Sequence, residues 1–215
     1  AVDGHGHGTF CAGIIGGKKV GVAPNVRLHA VKVINGSVGK AASLFVVINE
    51  LLQQNLESVS TVFSLSLNFK GDPSTDDLWW LKEVPQRGIT LVVAAGNRRK
   101  KTGWGMTSGI VVGAMDRSGS LWKDNNVVRS VISIFAPGVD ITSAWSGSDS
   151  AQRIKNGTSA ASAHVAGAAA LLLSEAKAKN LTPDDSSLGF PIKVPGGVSS
   201  TLKLKGKQMG GYQVV

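Results

Sequence analysis

The chain has 215 residues, a net charge of +9, 42% hydrophobic residues and a mean hydropathy of +0.10. That length and apolar content suit one domain with a sizeable core and exclude a low-complexity or collagen-like chain, despite 27 glycines. A single cysteine, Cys11, excludes an internal disulfide, and no apolar run is long enough to span a bilayer.

Taken in order, Gly6 to Gly16 combines glycines flanking His7 with small and apolar residues, which predicts a helix with His7 at its exposed start. Val26 to Ile34 is β-rich and partly alternating, a predicted strand. Ala41 to Gln54 spaces Leu44, Val47, Ile48, Leu51 and Leu52 as one helix face. Val59 to Leu67 reads as a strand, and Ser74 to Gln86 as a helix opened by Ser74, Asp76 and Asp77 and weakened by Pro85. Trp79 and Trp80 cannot both face the core of that helix. Ile89 to Ala95, Ile110 to Ala114, Val131 to Phe135 and Ile141 to Trp145 follow as strands. A long helix then opens near Ser159 and runs into Ala168 to Leu173, with a weakly patterned tail over 180–215. Strands alternating with helices predict an α/β domain whose parallel sheet is covered on both faces.

Three stretches carry chemistry. The first, Asn156-Gly157-Thr158-Ser159-Ala160-Ala161, passes from a turn into the long helix. A serine at a helix start can attack a carbonyl while its own N–H holds the oxyanion; alternatively, Thr158 or Ser159 is only an N-cap. The second is His7 between two glycines, where an imidazole can serve as base; His5 is the competing histidine, and Asp3, His5 and His7 could together hold a metal ion. The third is Asn97, at the carboxyl end of a predicted strand, where ligands of parallel sheets bind. His164 follows Ser159 by five residues, roughly 140° around the helix, and points away from it.

Gly6-His7-Gly8-Thr9-Phe10-Cys11-Ala12-Gly13, Ala94-Ala95-Gly96-Asn97 and Asn156-Gly157-Thr158-Ser159 resemble, in that order, the signatures of subtilisin-like serine proteases. Phe10 to Gly13, Gly21 to Pro24 and Ser64 to Leu67 are similar to the proteinase K-like branch. The resemblance runs from Asp3 to about Ala176. It implies a subtilisin-like three-layer fold with a mostly parallel central sheet flanked by helices. It implies a serine endopeptidase acting through an acyl-enzyme on Ser159, with His7 as general base and Asn97 in the oxyanion hole. Substrate would lie along Ser66, Leu67 and Asn68, with Ala94, Ala95 and Gly96 forming the other wall of the pocket. The implied partners are polypeptide substrates and a propeptide or protein inhibitor, and the implied state is a secreted monomer; the chain's own residues set the expectation of no cofactor, no metal and no membrane or nucleic-acid partner.

The sequence also departs from the family. The catalytic Asp of the family precedes the His motif on a strand; Asp3 matches another position. Residues 1–215 therefore read as a partial catalytic domain lacking its N-terminal strand, with little activity expected of it. Ala160 follows the nucleophile where Met is usual, Ala163 replaces Pro, Asn68 replaces Gly, and Ser133 stands where the proteinase K-like branch has a calcium-ligand Asp. These departures carry a second reading, a catalytically inactive scaffold that binds peptides or proteins. The basic groups at Arg98 to Lys101 and at Lys203, Lys205 and Lys207 lack interleaved aromatics, which ranks nucleic-acid binding low.

Overall fold

Runs of apolar, β-branched residues in β2 (Thr90–Ala94) and β3 (Ile110–Met115) form the centre of the sheet, and both strands are buried almost throughout. They are flanked by β1 (Val62–Leu65) and β4 (Ile134–Pro137), and β1 to β4 pair in parallel. The computed structural model describes residues 2–34, 41–54, 56, 60–67, 79–97, 109–125, 131–180, 207–209 and 212–214. Among these, a hairpin of β7 (Lys207–Met209) and β8 (Tyr212–Val214) extends the sheet beyond β4, giving the order β1-β2-β3-β4-β8-β7. A separate antiparallel pair joins β5 (Ile141–Ala144) to β6 (Gln152–Lys155).

Side chains alternate across β2, and each face meets its own helices. Leu91 and Val93 join the core made with Leu44, Ile48 and Leu52 of α2 (Ala41–Leu52) and Trp80, Leu81 and Val84 of α3 (Trp80–Gln86). Val92 faces the other way, toward Ala161, Val165, Ala166 and Ala169 of α4 (Thr158–Ala178). Against that helix packs α1 (His7–Gly16), through Phe10, Cys11 and Ile14. The result is the predicted α/β arrangement of a parallel sheet between helices.

Several boundaries differ from the sequence reading. Val26 to Ile34 forms no strand: the segment has no ladder partner among the described residues, and Leu28 and Val31 are each 46% exposed. A β-rich composition is not enough without a neighbour to accept its backbone hydrogen bonds. The fourth sheet strand begins at Ile134 rather than Val131. Ser133, the position of the absent calcium ligand, lies just before it; its hydroxyl accepts from the Val111 N–H, and its own N–H donates to the Val111 carbonyl. Of the two tryptophans, Trp80 is fully buried and Trp79 exposed. Asn68, the predicted opening of the Ser74 to Gln86 helix, Arg98 to Lys101, Lys203 and Lys205 lie outside the described residues.

Candidate active site

The amino end of α4 meets the carboxyl ends of β1 and β2, where the parallel sheet presents its loops. Gly157 precedes α4 with φ +151°, a backbone region open to glycine. A side chain there would also come within 3.3 Å of the Asn97 carboxamide nitrogen. Neither Thr158 nor Ser159 is an N-cap, since α4 begins at Thr158 and has no side-chain cap.

The Thr158 hydroxyl is instead buried and points at the β2 terminus. It accepts from the Gly96 N–H at 3.0 Å and donates to Asn97 Oδ1 at 2.9 Å. The Thr158 N–H donates to the same Oδ1 at 3.0 Å. A backbone N–H can only donate, so this pair of bonds fixes which end of the carboxamide is oxygen. The Asn97 amide nitrogen is thereby turned to the other side, toward Gly157. Gly96, at φ +95°, makes the turn that brings Asn97 there. The N–H groups of Ala160 and Ala161 donate to the Gly157 carbonyl, and that of Ser159 has no partner among the described residues. The Asn97 carboxamide is thus held against the first turn of α4, the turn that carries Ser159.

Ser66, just beyond β1, occupies the middle of the site. Its carbonyl accepts from Ser159 Oγ at 3.3 Å. Its hydroxyl donates to the Ser159 carbonyl at 3.0 Å and lies 2.9 Å from the Ser162 hydroxyl. The Cys11 thiol lies 3.9 Å from His7 Nε2, within one helical turn of it. Burial, against the lowering contact of the Ser66 side chain, pushes that thiol up to about 11. His7 and Ser159 are thus linked through Cys11 and Ser66, and share no direct hydrogen bond among the described residues. Burial first, then the charges of Lys155 and His5, hold the His7 imidazole below its ordinary value; Asp3 acts weakly in the opposite sense.

Asp3 is committed elsewhere. Its Oδ1 accepts from the N–H groups of His5 and Gly6, and its Oδ2 from the N–H and hydroxyl of Thr9. Burial works against its charge, but these donors outweigh it and hold the carboxyl well below the usual carboxylate range. It closes the start of α1, where Gly6 supplies no side-chain cap. No carboxylate bonds to His7 among the described residues, and no group of three potential metal ligands gathers there. His164 is engaged within its own helix: its Nδ1 lies 2.9 Å from the Ala160 carbonyl. His29 is exposed. Ala94 and Ala95 are buried, so this wall meets the site mainly through its backbone. The sequence reading missed Thr158 and Asp3 as organisers, because a threonine hydroxyl and an Asp–Thr spacing have many uses in a sequence.

The profile of the subtilase family matches residues 1–203. The chain belongs to the subtilase family. This subtilase is 38% identical over 175 residues to subtilisin-like protease 2 of Pseudogymnoascus destructans, covering 80% of this chain and 43% of that one. It is 36% identical over 181 residues to proteinase T of Parengyodontium album, covering 80% and 59%. An extracellular serine proteinase of Thermus sp. is 37% identical over 179 residues, with 80% and 42% covered. The crystal structure of a cold adapted subtilisin-like serine proteinase superposes with a TM-score of 0.76 at 30% identity, covering 95% of this chain and 69% of that one. The chain spans less than half the length of the first curated relatives it matches. The family is one of serine proteases, and the subtilisin-like architecture is shared. Among the described residues, no helix is long and apolar enough to cross a membrane.

Proposed function

We propose that this chain provides the His–Asn–Ser part of a serine endopeptidase. Ser159 attacks the peptide carbonyl, His7 takes its proton and passes it to the leaving amine, and the Asn97 amide and Ser159 N–H hold the tetrahedral oxyanion. The observation that carries this reading is the clamp of Thr158 on Asn97 Oδ1, which pre-aims the amide before any substrate arrives. Removing such a donor from subtilisin itself raises the barrier by about 2.7–4 kcal/mol. Attack requires Ser159 Oγ to leave the Ser66 carbonyl and give its proton to His7. An acyl chain bound along Ser66 and Leu67 competes for that same carbonyl and favours the release. In line with relatives described as extracellular proteases, the substrates are polypeptides and the protein acts outside the cell; as part of the same proposal it works as a monomer, and a propeptide or protein inhibitor fills the same cleft.

A second reading rests on the absence, among the described residues, of a carboxylate on His7. Without one the imidazole lacks its orienter, and in trypsin-type triads that loss lowers turnover by about 10⁴-fold. The chain is then a catalytically inactive scaffold that binds peptides or proteins. A serine-directed phosphonate, followed by mass spectrometry and hydrolysis of a chromogenic peptide, tests both. Label on Ser159 with a rate that disappears in Ser159→Ala supports the endopeptidase. Peptide binding with neither label nor Ser159-dependent hydrolysis leaves the scaffold. Label at another residue defeats the proposed nucleophile.

A further inference from the structure

Trp145, which follows β5, carries two cations on its ring. The Arg153 guanidinium carbon lies 4.5 Å from the ring centroid and the Lys155 ammonium 5.1 Å. Arg153 and Lys155 are two apart on β6 and therefore share one face of the strand, while Ile154 points the other way and is 65% exposed. The ring is fastened to the start of α1. It fills the space where Gly6 lacks a side chain, with Phe10 edge-on at 6.3 Å and His5 at 6.1 Å. His5 in turn lies 6.3 Å from His7, ring to ring. Three basic groups thus gather around Trp145, and two of them, Lys155 and His5, also act on His7. Neither Arg153 nor Lys155 is paired with a carboxylate among the described residues, whose ion pairs are Arg87–Glu83 and Lys179–Glu175. Cations placed so close repel one another, and a carboxylate arriving between them removes that repulsion while accepting a fork of guanidinium hydrogen bonds.

We propose that Trp145, Arg153, Lys155 and His5 form a binding site for an acidic side chain of the polypeptide, on the leaving-group side of the scissile bond. The proposal rests on the reading of Ser159 and His7 given above, which sets the direction of the substrate. The acyl part lies along Ser66 and Leu67 at the β1 edge. His7 delivers its proton to the leaving amine, and the basic wall is built on the start of the His7 helix and on the strand that leads to Ser159. The reach of the Lys155 charge to His7 supports this placement. The overall positive charge of the chain favours the same class of substrate.

The test measures binding without cleavage. The probes are fluorescent octapeptides with a leucine before the bond and Glu, Gln or Lys at either of the two positions after it, titrated into the Ser159→Ala variant. Glu is expected to bind roughly 5- to 10-fold more tightly than Gln at 50 mM NaCl, and Lys more weakly than either; the gap shrinks below about twofold at 0.5 M NaCl. Lys155→Gln and Arg153→Gln each remove a large part of the preference, whereas Ile154→Thr, on the opposite face of the strand, leaves it intact. Equal affinities, a preference confined to residues before the bond, or a preference that survives in the double variant each overturn the proposal. So does a loss of stability in Arg153→Gln and Lys155→Gln with the Glu preference unchanged, which would make the stacking purely structural. No measurable binding of any probe overturns it as well. Turnover by the unmodified chain separates the two ideas. Hydrolysis without a Glu preference defeats this site alone, and a Glu preference without hydrolysis defeats the proteolytic reading alone.

Discussion

Thr158→Val removes one hydroxyl and changes little else in shape. The residue is fully buried, so the effect is read against a fixed environment. The Gly96 N–H loses its acceptor at 3.0 Å, and a buried donor left unpaired costs about 1–3 kcal/mol. The bond to Asn97 Oδ1 at 2.9 Å is also lost, at about 0.5–1.5 kcal/mol net. Burying an added methyl returns about 0.8 kcal/mol. The expected loss is about 2 kcal/mol, large against the 5–15 kcal/mol typical of a whole domain. Thr158→Ser is the control: it keeps both hydrogen bonds and deletes only a methyl, at about 1 kcal/mol. Urea unfolding followed by tryptophan fluorescence, with equal slopes for all three proteins, gives the comparison. Turnover, where measurable, falls in Thr158→Val more than in Thr158→Ser, because only the Thr158 N–H still holds Asn97. A serine variant as unstable as the valine variant refutes the assignment of Thr158 as the clamp.

Other perturbations probe the remaining supports. Asp3→Ala leaves the start of α1 without its acceptor and costs about 1–2 kcal/mol in the same unfolding assay; because the folded carboxyl ionises below the ordinary 3.8, its contribution is present above that value and is lost as the pH falls further. Gly13→Ala gains about 1 kcal/mol in helix propensity but drives a methyl into the Ser143 hydroxyl, breaking its 2.9 Å bond to the Phe10 carbonyl; a net destabilisation of about 2 kcal/mol is expected, and a stabilised variant refutes it. His7 titrates below 6.5 in the folded chain, so the unfolded chain binds more protons below 6.5, and stability drops as pH falls from there toward the depressed value. Imidazole proton NMR should place the midpoint below 6.5 and higher in Lys155→Gln, and a midpoint unmoved by Lys155→Gln counts against that charge as a cause. The Cys11 thiol, raised from 9.0 to about 11, should react with a disulfide reagent at pH 8 on the order of 100-fold more slowly than in urea-unfolded chain.

Elements whose pattern is set by their own residues were legible in the sequence. β2 and β3 are continuous apolar runs, and α2 keeps Leu44, Ile48 and Leu52 on one face. Elements set by a neighbour were not. β6 reads Gln-Arg-Ile-Lys, with nothing β-like except Ile154, and exists because β5 pairs with it. Val26 to Ile34 fails in the opposite way, with strand composition and no partner among the described residues. At the site, motif order singled out His7, Asn97 and Ser159, since those residue types suit the proposed reaction. What holds them was hidden, because Thr158 acts across 61 positions on Asn97, and Ser66 across 93 on Ser159.

The packing of α4 against its surroundings has an evolutionary consequence. From Thr158 to Ala169 the helix carries, apart from His164, no side chain larger than Val165, and most of that stretch is buried. At Gly167 an added methyl would press on Val22 and the carbonyl of Ile15, at the far end of the helix that begins with His7. At this point α4 has no room for a side chain between itself and the end of the His7 helix. Drift in this region is one-sided: there is almost no volume left to delete, and added carbons press on the sheet or on the end of the His7 helix. Descendants of this sequence can vary widely in the loops around the cleft, while this helix face accepts substitutions only under a ceiling on size.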